Sequence, residues 1–205
     1  MHTENIVTAG KPLSEATKAL IMVHGRGGSA EDILSLAAHL SVKDFALLAP
    51  QATNNTWYPQ SFLAPPAQNE PWLSAAIDQL KHITDHLERR GIAQENTYFL
   101  GFSQGACLTL EFLARNAARY GGAVAFTGGL IGDTIDKSNY SGNFGGTPIF
   151  IGSSNPDFHV PVERVQASTA VLQEMGASVT EKIYNNMGHT ISGDEIKLAN
   201  SLIFS

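Results

Sequence analysis

The sequence predicts an α/β domain with a mostly parallel sheet covered by helices on both faces. Short apolar runs rich in strand formers alternate with longer stretches of helical periodicity along the whole chain. No repeat or low-complexity linker interrupts that alternation, so residues 1–205 read as one domain. At 205 residues, with 43% hydrophobic and 16% charged, the chain can bury one substantial core and is short for two.

The elements follow in order. An extended piece over about residues 4–9 precedes a strand at 19–23, Ala-Leu-Ile-Met-Val. A helix is expected over 30–41, opened by Ser29 as N-cap with Asp32 in the capping-box position. Phe45 to Ala49 form a second central strand, closed by Pro50. A long helix spans about 71–90, with Pro71 in its first turn and Gly91 as its stop; Leu73, Ile77, Leu80, Ile83 and Leu87 mark one apolar face. Next come a strand at Thr97 to Leu100 with a helix over 103–118, and strands at 122–126 and 147–151. A helix at 161–175, a strand at 178–184 and a final helix at about 190–203 complete the alternation. A sheet of this kind binds ligands at the C-terminal ends of its strands.

Composition narrows the function classes. A formal charge of −6 argues against nucleic acid or an anionic membrane as partner. No apolar run is long enough to span a bilayer, and the first residues lack a secretion-signal layout, so the cytoplasm is the expected compartment. Cys107 is the single cysteine, which leaves no internal disulfide, and it reads as a small buried residue. The histidines are scattered and no H-E-x-x-H occurs, so neither a metal nor a cofactor is expected. The expected partner is a small-molecule ester, without membrane insertion, and a homodimer is left open.

The chemistry begins at Gly101-Phe102-Ser103-Gln104-Gly105. This G-x-S-x-G joins a strand to a helix, the context in which the serine becomes an exposed nucleophile on a tight turn. A serine hydroxyl needs a base and an orienting carboxylate, which follow in the chain order Ser, Asp or Glu, His. His189, after Gly188 in the loop leaving a strand, is the candidate base. Asp157, in the loop after the 147–151 strand, is the best acid; His159, two residues on, reads as a surface or neighbouring residue. An oxyanion hole would take the backbone N–H of Gln104 and a second donor from His24-Gly25-Arg26-Gly27-Gly28, at Arg26. The Arg26 side chain is read as incidental to the hole, pairing with a protein carboxylate or meeting an acidic substrate. The glycines match neither nucleotide-binding fingerprint. The competing readings are a helix-capping Ser103, a turn residue at Asp157 and a surface His189.

The loop at 24–28, the G-F-S-Q-G block, Asp157 to Pro161 (D-x-x-V-P) and Gly188-His189-Thr190-Ile191 resemble the phospholipase/carboxylesterase family of α/β-hydrolases. The resemblance runs from about Leu20 to the C-terminus. It implies an α/β-hydrolase fold, a single three-layer domain without an added lid domain, with Ser103 as nucleophile, Asp157 as acid and His189 as base. Arg26 stands where acyl-protein thioesterases carry Leu, so the chain looks more like the bacterial carboxylesterase branch. A serine carboxylesterase for short to medium acyl esters is therefore expected, with a lysophospholipase or acyl-protein thioesterase for long chains as the alternative. From Gln51 to Asn69 no residue is charged, and Trp57, Tyr58 and Phe62 are expected to wall the substrate site.

Overall fold

The computed structural model describes His2 and residues 5–205. Seven strands form one sheet: β1 (Ile6–Gly10), β2 (Lys18–Val23), β3 (Phe45–Pro50), β4 (Thr97–Phe102), β5 (Gly122–Phe126), β6 (Pro148–Asn155) and β7 (Ser178–Asn185). Their order is β1-β3-β2-β4-β5-β6-β7, and among these pairs only β1–β3 is antiparallel. Parallel neighbours need crossovers. Helices α1 (Ala30–Ser35), α2 (Trp72–Arg89), α3 (Gln104–Arg115), α4 (Val162–Glu174) and α5 (Gly193–Leu202) supply apolar faces to cover the sheet.

The uninterrupted apolar run of β2 reflects burial on both faces. Ile21 and Val23 pack into the core under α2, α3 and α4. Leu20 and Met22 pack into the second core, with Ala30 and Ile33 of α1 and Ala199 of α5. Each such side chain contributes about 1.5–3 kcal/mol on leaving water. The result is the three-layer α/β-hydrolase architecture, without an added domain among the described residues.

The element boundaries moved where tertiary demands differ from local pattern. The helix expected over 30–41 is α1 followed by a 3₁₀ turn, Leu36–His39. That tighter turn ends the helix and lets Leu40 and Val42 bury. α3 stops at Arg115 rather than 118, where Ala117 instead bridges Gly142. α5 starts later than expected, at the Ser192 N-cap, with Glu195 closing a capping box. β6 runs four residues past its expected end, to Asn155, and so carries the Asp157 loop to the sheet edge. Residue 4 of the expected N-terminal strand lies outside the described residues.

Candidate active site

β4 ends at Phe102 and α3 begins at Gln104, so Ser103 alone makes the turn, with φ 54° and ψ −119°. A side chain held in this left-handed region costs on the order of 1–3 kcal/mol. Two backbone bonds hold it there: Ser103 N–H donates to the Phe126 carbonyl at 2.9 Å, and Cys107 N–H donates to the Ser103 carbonyl at 3.0 Å. The flanking glycines are required by contact. A β-carbon on Gly101 would collide with the Gly105 backbone, and one on Gly105 with the carbonyls of Val23 and His24.

Ser103, His189 and Asp157 come together as a hydrogen-bonded line. His189 Nδ1 lies 2.8 Å from Asp157 Oδ2, and Nε2 lies 2.7 Å from Ser103 Oγ. The Asp157 side chain has no exposed surface. Burial alone would raise its carboxyl, but the bond from His189 and the N–H groups of His159 and Val160, at 2.7 and 2.9 Å to Oδ1, hold it below the usual carboxylate range. An ionised carboxylate only accepts. Nδ1 therefore carries a proton, and in the neutral ring Nε2 accepts from the serine hydroxyl. Ser154 fixes the two loops relative to each other: its hydroxyl accepts from Gly188 N–H at 3.0 Å and reaches the Pro156 carbonyl at 3.3 Å. His159 is exposed, with its ring edge-on to that of His189 at 4.8 Å.

A cleft of about 410 Å³ opens beside Ser103, lined by Arg26, Tyr58, Phe62, Gln104, His159 and His189 among others. Gln104 is the first residue of α3, where N–H groups have no helical acceptor and the helix dipole is positive. Among the described residues neither its N–H nor that of Arg26 is taken by a protein acceptor. Cys107 lies one turn after Ser103, but burial pushes its thiol up to about 12, which keeps it protonated.

Two expectations need correction. Trp57 does not line the cleft. It is fully buried, with its indole N–H donating to the His24 carbonyl at 2.8 Å and its ring against the His24 imidazole. A large apolar ring with one donor gains more from that site than from solvent. Among the described residues Arg26 pairs with no carboxylate. Its guanidinium donates to Thr56 Oγ1 and to the carbonyls of Tyr58, Pro59 and Gln60, at 2.7–3.0 Å. An uncharged loop still presents carbonyl dipoles, and these satisfy the cation.

Three side chains to which the sequence assigned no role also organise the site. The Gln104 side chain accepts from Trp57 N–H at 3.0 Å and donates to the Tyr58 carbonyl at 2.8 Å. Asn69 accepts from Gln60 N–H at 2.7 Å and donates to the Ser61 carbonyl at 3.0 Å. The buried His24 accepts from Ala52 N–H at 3.1 Å. Only a charge-free loop rich in Asn and Gln hinted at such backbone bracing.

A serine on a strained strand-to-helix turn, backed by an imidazole and a carboxylate from later loops of this sheet, defines an α/β-hydrolase. The family model described as Phospholipase/Carboxylesterase matches residues 3–204, and the chain belongs to that family. A phospholipase/carboxylesterase structure from Dyadobacter fermentans is 52% identical, with a TM-score of 0.99 over 100% of this chain and 98% of that one. A probable carboxylesterase of Arabidopsis thaliana, SOBER1-like, is 28% identical over 92% of this chain and 78% of its own length. The Bacillus cereus carboxylesterase, 22% identical, shares the fold with a TM-score of 0.77 over 96% of this chain and 91% of that one. The protein is a hydrolase of carboxylic esters.

Proposed function

We propose that the chain hydrolyses short to medium acyl esters through an acyl-enzyme formed on Ser103. The hydrogen-bonded line Asp157–His189–Ser103 is the observation that carries this reading. His189 Nε2 takes the hydroxyl proton as Ser103 Oγ attacks the ester carbonyl. The developing oxyanion is received by the backbone N–H groups of Arg26 and Gln104. His189 then gives its proton to the departing alcohol, leaving the acyl group on Oγ. Water enters, His189 takes its proton, and the hydroxide oxygen displaces Ser103, which recovers a proton from the imidazolium. Asp157 keeps the imidazole in the productive tautomer and offsets its charge at each step.

The open, moderate cleft, with Phe62 in its lining, supports neutral esters of limited chain length, whereas the Tyr58 side chain is buried in the core like that of Trp57. The acidic, single-cysteine composition supports a cytoplasmic setting. A series of p-nitrophenyl esters from acetate to palmitate tests the substrate reading. We expect kcat/KM to peak at short or medium chains. A steady rise to palmitate would assign the protein to lysophospholipase or thioesterase chemistry instead.

A further inference from the structure

We propose that the side chain of Arg26 is a positioning group for catalysis, locking its own backbone N–H into the oxyanion hole through a brace shared with Gln104. The inference rests on the oxyanion reading above.

Residue 26 sits in an exposed loop between Gly25 and Gly27, and Gly27 adopts a φ of 79°. Such a segment has few intrinsic restraints on where the Arg26 N–H points. The guanidinium supplies them. Its two terminal nitrogens make four hydrogen bonds, three of them to consecutive carbonyls at Tyr58, Pro59 and Gln60. Gly27 N–H adds a fifth tie, to the Asn55 carbonyl at 2.7 Å.

The receiving loop is itself immobilised. The Gln104 amide spans Trp57 N–H and the Tyr58 carbonyl, and Asn69 spans Gln60 N–H and the Ser61 carbonyl. Trp57 anchors the loop in the core. The Tyr58 carbonyl is the junction: it accepts from Arg26 Nη2 at 2.9 Å and from Gln104 Nε2 at 2.8 Å. The two residues whose N–H groups form the hole are therefore tied, side chain to side chain, through one oxygen atom. The spacing of the two donors is set by that tie. It also occupies the four terminal N–H groups of the guanidinium, so none is left to fork an acidic substrate.

A donor displaced by about 1 Å costs roughly 10²-fold, and a lost one about 10²–10³ in kcat. Arg26→Ala should thus lower kcat on a neutral ester by about ten- to a hundredfold with KM within about threefold. Arg26→Lys offers one ammonium for four acceptors and should fall between the parent and the alanine variant. Because Arg26 is exposed, millimolar guanidinium should restore part of kcat to Arg26→Ala and none to the parent. A merely structural loss would not respond in this way. Ser103→Ala, measured alongside, separates loss of the brace from loss of the nucleophile. Parent-like kcat in Arg26→Ala beside a dead Ser103→Ala overturns the brace and leaves the nucleophile standing. A change in KM alone overturns it too, since the loop would then only hold substrate. Should Arg26→Ala not fold, a parent-like kcat in Arg26→Lys overturns the proposal. An active Ser103→Ala removes the oxyanion reading and the brace with it.

Discussion

At Ser103 the demands of chemistry and of stability conflict. The turn that presents the hydroxyl keeps a β-carbon at φ 54°, at a cost of about 1–3 kcal/mol. Glycine relieves the strain but adds about 0.5–1 kcal/mol of backbone entropy loss. Ser103→Gly should therefore melt a few degrees above Ser103→Ala, which keeps the strain, while neither turns over ester. Equal melting temperatures would show that the turn stores no such strain. Asp157→Asn should lower kcat by about 10⁴, because an amide favours the wrong tautomer of His189. His24 carries a pH signature. Burial pushes its pKa below the ordinary imidazole value, and Ala52 N–H occupies its Nε2. The unfolded chain binds that proton more tightly. Stability should therefore fall as pH drops below about 6.5, until the folded ring also protonates. Thermal melts of the parent and His24→Asn check this. The drop below that pH should be smaller in the variant, and an equal drop in both would place its origin elsewhere.

At the scale of elements, the elbow is held by close approach between backbones. Gly105 sits against the carbonyls ending β2, and Gly101 against the first turn of α3. Gly105→Ala has no flexible side chain to push aside, so it should cost at least about 1–3 kcal/mol and displace Ser103. Melting and activity should fall together; an active, parent-stable variant would contradict the contact. The elbow was legible in the sequence because strand, turn and helix each follow local rules. β6 was harder. Its extension through Ser153, Ser154 and Asn155 rests on pairing with β7, which no local pattern announces. The role of Arg26 was illegible for a related reason. Three of its four acceptors are backbone carbonyls, and a carbonyl has no letter in the sequence. Trp57 was misplaced because an aromatic in a long loop looks the same whether it faces solvent or the core.

At the scale of the whole molecule, the C-terminal end of the sheet collects loops from β2, β3, β4, β6 and β7 around a cleft of about 410 Å³. Phe62 lines it, whereas Trp57 belongs to the core, and the two should respond differently to truncation. Phe62→Ala should shift chain-length preference among esters with modest loss on acetate. Trp57→Ala should instead destabilise the fold by about 3–5 kcal/mol. A chain-length shift from Trp57→Ala at unchanged stability would restore it to the substrate wall.

All of this depends on Ser103 being the atom that takes the acyl group. Treating the intact protein with a fluorophosphonate, followed by mass spectrometry of the digested chain, reads that directly, since an activated serine reacts and an ordinary hydroxyl does not. The expected result is one adduct per chain, on the peptide carrying Ser103, with turnover lost in proportion and no adduct in Ser103→Ala. An adduct on another residue, or full turnover after Ser103 is blocked, would contradict the mechanism.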